Sequence, residues 1–102
     1  MRAGMAFSLF PLSVHAVNGH SMQPSISDGD RVVVFRWAYL FSQPKVGDAV
    51  AFSSSDGKGY VKRLVAVANK NEFIVEGDNK PDSKKLPPIS RKAIIGKVVA
   101  KY

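Results

Sequence analysis

A serine attacks a peptide carbonyl only when a turn exposes its hydroxyl and a neighbouring base removes its proton. The segment Val17-Asn18-Gly19-His20-Ser21-Met22-Gln23-Pro24-Ser25-Ile26 meets the first condition, because it places Ser21 directly after an apolar strand-like run and inside a turn. Gly19 permits close approach of a substrate backbone, and Pro24 fixes the direction in which the chain leaves. The backbone N–H groups of such a turn can face a developing oxyanion. An ordinary serine-rich turn has the same spacing, so Ser21 is a nucleophile only if a base is found for it.

His15, His20 and Lys62 compete for that role. His20 adjoins Ser21 and points away from it in extended or turn geometry, while His15 lies on a strand with no evident acid to orient it. A lysine serves as base only through its uncharged amine, which calls for an apolar setting. In Tyr60-Val61-Lys62-Arg63-Leu64-Val65-Ala66 the two-residue period of a strand puts Lys62 on one face with Tyr60, Leu64 and Ala66. Most other lysines stand in turns or beside acids. A lysine on a half-buried strand also snorkels readily to solvent, so position by itself leaves both fates open.

Arg63 falls on the opposite face, with Val61, Val65 and Val67, and needs a counter-charge if it is covered. Asp78 is the best partner, since Gly77-Asp78-Asn79 directly follows the strand Phe73 to Glu76 and a hairpin through Asn69-Lys70-Asn71 brings the two strands together. The expected pair is structural and serves catalysis indirectly. The chain has no cysteine, which removes disulfides, thiol nucleophiles and thiolate metal sites. Its 2 histidines lack any spacing to carboxylates that would hold a metal, so neither a metal nor a cofactor is expected.

The elements that must position these groups are short strands divided by turn residues. Leu12 to Val17, Arg31 to Arg36, Ala49 to Ser53, Tyr60 to Ala68, Phe73 to Glu76 and Ile94 to Lys101 read as strands, bounded by Asp28-Gly29-Asp30, Gly47-Asp48, Asp56-Gly57-Lys58-Gly59 and Asn69-Lys70-Asn71. No segment keeps a helical period, though Trp37 to Phe41 suits a brief turn. Gly77 to Ala93, rich in Asp, Asn, Pro and Ser, is the longest irregular stretch. With 102 residues and 45% apolar composition, the expectation is a mainly β fold: an apolar N-terminal stub over 1–11 and one undivided domain over 12–102.

The net charge of +7 comes mostly from the second half and suits an anionic lipid or nucleic acid without choosing between them. Aromatics are not interleaved with these bases as a stacking platform would require, so nucleic acid is an unlikely partner. The apolar stretch from Met1 to Val17 is interrupted by Pro11, Ser13 and His15 and is too short to span a bilayer. Met5, Phe7, Leu9 and Phe10 are read as touching a membrane peripherally or packing on the sheet.

Four boxes in order give the chain a family resemblance. Gly19-His20-Ser21-Met22-Gln23-Pro24-Ser25-Ile26, followed by Gly29-Asp30, resembles the Ser-Met-X-Pro-Thr box of type I signal peptidases. Gly47-Asp48-Ala49-Val50-Ala51-Phe52 resembles their Gly-Asp-hydrophobic box, Tyr60-Val61-Lys62-Arg63-Leu64-Val65 their Lys-Arg box, and Val75-Glu76-Gly77-Asp78-Asn79 their Gly-Asp-Asn box. Each box is short, but four in order with sensible gaps are specific. The resemblance implies a catalytic β domain of short antiparallel strands, shared with the self-cleaving repressors. It implies a serine endopeptidase in which Ser21 attacks and Lys62 is the base. It further implies a Ser21 backbone N–H in the oxyanion hole and a leader or signal peptide, cut after small residues and bound as an added strand.

The chain departs from the family pattern at several points. Ser25 stands where threonine is usual. Gly19 occupies a place where some members carry a serine that supplies a second oxyanion donor. Asp82-Ser83-Lys84 stands for the family's Asp-Ser-Arg, or Ser83 alone matches the serine that hydrogen-bonds the catalytic lysine; the second alignment is preferred, and makes Ser83 the residue that orients Lys62. The resemblance implies membrane association, yet no transmembrane anchor precedes the serine box, which suits a trimmed core or a soluble branch, such as the small proteases that mature nickel-type superoxide dismutase. The rival readings are a self-cleaving repressor-type peptidase and a small basic β-barrel that binds nucleic acid.

Overall fold

The computed structural model describes residues 2–9, 11–82 and 85–102, with the backbone alone described at 2–9 and 82. Its strands are β1 (Arg2–Leu9), β2 (Leu12–Asn18), β3 (Arg31–Phe35), β4 (Ala49–Ser53), β5 (Gly59–Asn69), β6 (Glu72–Glu76), β7 (Ile89–Ser90) and β8 (Ile94–Lys101). They form an 8-stranded sheet in the order β1-β2-β3-β8-β4-β5-β6-β7. A further pairing of β1 with β5 closes the first part of that order into a ring, and β6 and β7 extend from it. Every ladder is antiparallel, as the mainly β reading of the sequence expects.

Strand period decides where the core lies. In β4, Ala49 and Ala51 face one way and Val50 and Phe52 the other, and all are buried, so β4 is covered on both faces. Val17, Met22, Ile26, Val32, Val34, Ala49, Ala51 and Val61 fill the inside of the ring. Val50, Phe52, Leu64, Phe73, Val75, Tyr39 and Ile89 form a second core on the outer face of β4, β5 and β6. Lys62 has the parity of Tyr60 and Leu64, which places it on the side of that second core, opposite Val50 in the β4–β5 ladder.

The expected strands match the observed ones to within a residue or two at their ends. The stretch expected as a stub differs: over Arg2–Leu9 it is a strand, paired along β2 and reaching β5. Its sequence holds no β-branched residue and a single aromatic, Phe7, so strand propensity is weak there; the edge offered by β2 decides its conformation. Phe10 and the side chains of Met5, Phe7 and Leu9, to which membrane contact was assigned, lie outside the described residues. Within the long irregular stretch, β7 pairs with β6 and is flanked by 3-10 turns at Lys80–Asp82 and Arg91–Ala93.

Candidate functional site

Ser21 lies in a loop that starts and ends at one place. Val17 N–H donates to Asp30 O at 2.9 Å and Gly29 N–H to Val17 O at 2.9 Å, which ties the loop's base, and Ile26 N–H donates to Met22 O at 2.9 Å within it. Met22 is fully buried in the ring, so it anchors the loop one residue beyond Ser21. Gly19 has φ +102°, the left-handed region that favours glycine, and its N–H donates to Asp28 Oδ1 at 2.8 Å. Its requirement is therefore conformational, beyond the close approach expected from the sequence.

Lys62 comes to this loop from β5, 41 residues away in sequence, and its Nζ donates to Ser21 Oγ at 2.8 Å. Ser21 is 3% exposed and Lys62 4%, so water is largely excluded from the pair. The ion pairs formed among the described residues are Arg63 with Asp78, Lys80 with Glu76, Lys97 with Asp48 and Lys101 with Asp30, and none uses Lys62. The described residues hold no cluster of His, Cys, Asp and Glu able to bind a metal.

The edge of β5 beside the pair has no strand partner among the described residues. On the side away from β4, β1 pairs as far as Tyr60 and β6 begins at Arg63, so among the described residues no strand covers Val61 and Lys62 there. Arg2 pairs with both Asn18 of β2 and Tyr60 of β5, which places an extended chain between these strands next to Val61.

Arg63 and Asp78 form the pair expected of them. Arg63 Nε donates to Asp78 Oδ1 at 3.1 Å and Nη2 to Oδ2 at 2.7 Å, while Nη1 donates to Gly47 O at 3.0 Å. The Arg63 hydrogen bond, aided by that of Ser25, outweighs partial burial and holds the Asp78 carboxyl below its ordinary range; the same contact raises Arg63. Asp48 is also lowered: burial acts to raise it, but hydrogen bonds from the Tyr39 hydroxyl and the Lys45 N–H, with the charge of Lys97, act more strongly together.

Asn79 was quoted in its box without a role. Its N–H donates to Ser21 O at 2.7 Å and its Nδ2 to His20 O at 3.0 Å, so it clamps the backbone on both sides of the serine. Its place directly after Gly77-Asp78 was the available signal. His15 is buried with its Nε2 2.7 Å from Ser13 Oγ, and desolvation, then Arg36, lowers its proton affinity. Ser83 lies outside the described residues.

Fold and site together define a mainly β domain built around a buried serine–lysine pair. The chain belongs to the signal peptidase, peptidase S26 family, whose model matches residues 2–71. It is 26% identical over 99 residues to Signal peptidase I of Bacillus caldolyticus, which covers 92% of this chain and 54% of that one. It is 30% identical over 78 residues to Signal peptidase IB of Staphylococcus aureus, covering 72% of this chain and 41% of the relative. A 32% identity over 74 residues links it to Probable signal peptidase I-1 of Synechocystis sp., covering 60% and 38%. The chain spans about half or less of the length of these curated relatives. No helix among the described residues is long and apolar enough to cross a membrane.

Proposed function

We propose that the domain is a serine endopeptidase that cuts a leader or signal peptide from a preprotein by acyl transfer through Ser21 and Lys62. The contact of 2.8 Å between Lys62 Nζ and Ser21 Oγ carries this reading. With Lys62 as the uncharged amine, the Ser21 hydroxyl donates to it along that line. As Oγ attacks the scissile carbonyl, its proton passes to Nζ.

The developing oxyanion meets the Ser21 N–H. Lys62 then gives its proton to the leaving amine; in the second half it takes one from the water that attacks the acyl group and returns it to Ser21 Oγ as the ester bond breaks. The substrate adds as a short strand to the edge of β5 at Val61 and Lys62, where no described strand is paired. The family match supports the substrate class.

The test is cleavage of a peptide with alanine at the first and third positions before the scissile bond. Ser21→Ala and Lys62→Ala each remove turnover by about a thousandfold or more. Lys62→Met keeps the apolar stem and the fold but removes the base, and Lys62→Arg keeps a charge that never leaves, so both are inactive. Turnover retained in Lys62→Met would sink the assignment of the base.

A further inference from the structure

β1 has two unequal edges. Along β2 it pairs from Arg2 with Asn18 to Leu9 with Leu12, whereas on β5 it holds only Arg2 against Tyr60 and Ala3 against Gly59. The ladder with β2 skips Ala6, and a bulge of this kind bends a strand, so residues 2–5 are set apart from residues 7–9.

The end of this segment lies where the elements of the dyad converge. Arg2 sits between Asn18, which leads into the serine loop, and Tyr60, which leads into Lys62. Gly59 has no side chain to pack on β1. The strand on the other flank is fixed: β6 buries Phe73 and Val75, and the turn after it is tied to β5 by the ion pair of Arg63 with Asp78.

On the side of β5 away from β4, the described pairings leave Val61 and Lys62 between Tyr60, held by Arg2, and Arg63, held by Glu76. A peptide read at its first and third residues before the scissile bond, and bound as an added strand, spans three residues at about 3.3 Å each. One flanking pair must part to admit it, and that of β1 is the less anchored.

We propose that residues 2–5 are a strap that lies on β5 in the free domain and leaves Tyr60 and Gly59 when a substrate strand adds at Val61 and Lys62, a position taken from the proposed function. Strap and substrate compete for one backbone edge, so the closed strap lowers the apparent affinity for peptide.

The chain has no cysteine, so Ala3→Cys with Gly59→Cys gives a single disulfide, and facing residues of an antiparallel pair stand within reach of one. Cleavage of the alanine peptide is measured before and after oxidation. The expected result is a fall in kcat/KM of about tenfold or more on oxidation, through KM, restored by reductant, with thermal unfolding no lower than in the reduced protein. Equal kcat/KM in the two forms overturns the strap, as do thiols that stay free under oxidant, since Ala3 would then not rest on Gly59.

Hydrogen exchange on Ser21→Ala with the same peptide needs no turnover. Exchange is expected to quicken over residues 2–4 and to slow at whichever of Val61 and Lys62 points its N–H to that edge. Protection of β5 with residues 2–4 unchanged overturns the strap and keeps the substrate site, and protection of neither overturns both. A parent chain that binds peptide with the expected exchange but does not cut it overturns the peptidase reading alone.

Discussion

Arg63 and Asp78 meet through two contacts, Nε to Oδ1 and Nη2 to Oδ2, and the remaining guanidinium nitrogen reaches Gly47 O. Ser25 adds its hydroxyl to the same carboxylate. One ion pair thus joins the serine loop, the turn before β4, strand β5 and the turn after β6. Because Lys62 precedes Arg63 and Asn79 follows Asp78, the planar two-point contact fixes the two neighbours that meet Ser21.

Acid should loosen this junction. The folded-state pKa of Asp78 is lowered chiefly by its Arg63 hydrogen bond, so the pair contributes stability that is complete above the unfolded carboxyl value of about 3.9 and is lost as pH falls through the lowered value. Asp48 acts in the same direction. Asp78→Asn is expected to cost about 1–2 kcal/mol near neutral pH, less than a fully buried pair because Arg63 is part-exposed. Denaturant titrations across pH should show the gap between parent and variant closing below about pH 4; a gap independent of pH would mean that the ion pair is not its source.

Asn79→Ala removes the bond from Nδ2 to His20 O but leaves the backbone bond to Ser21 O. Stability should fall by about 1 kcal/mol. Turnover should fall further than that loss of folded protein explains, through kcat more than KM, because Ser21 Oγ drifts from Lys62 Nζ. Steady-state kinetics on protein shown to be fully folded decide this. An unchanged kcat would make Asn79 a brace for the loop with no part in placing the serine.

β3 and β4, each opening directly after a Gly-Asp pair, were readable because their apolar runs and the turn chemistry agree locally. β1 was not, since beyond Phe7 its Ala, Gly, Met and Ser carry little strand signal and the facing β2 edge determines them. The face of Lys62 could be read from period, but its meeting with Ser21 depends on closure of the ring between residues far apart in sequence. Arg63 and Asp78 were readable because the hairpin β5–β6 makes their approach nearly local. The place of Asn79 after Gly77-Asp78 marked the residue but not its role, because a bond to a distant backbone carbonyl leaves no pattern in side-chain types.

Gly19→Ser restores the hydroxyl that some members of the family carry at this place, yet it should not help. With φ at +102°, a side chain here costs about 1–2 kcal/mol or moves the backbone that leads into Ser21. The expected outcome is lower stability and turnover no higher than the parent's, measured by denaturation and peptide cleavage. Raised turnover with unchanged stability would show that the loop adopts another backbone path when a donor is available.

Gly96 has no room for a side chain. It lies opposite Ala51 of β4, at the point where β8 passes from β4 to β3. A Cβ there would stand 2.4 Å from Phe35 O, 2.8 Å from Val34 Cγ1 and 2.9 Å from Arg36 Cα. Two of these atoms are backbone and cannot turn aside, so Gly96→Ala must part β3 from β8. A cost of about 1–3 kcal/mol is expected, in the range of overpacked cores. Hydrogen exchange should speed up first at Val34 and Val98, which face each other across that ladder, while β6, joined to the ring only through β5, keeps its protection longer. Uniform acceleration across all strands would instead mean that the ring and its β6–β7 extension open as one unit.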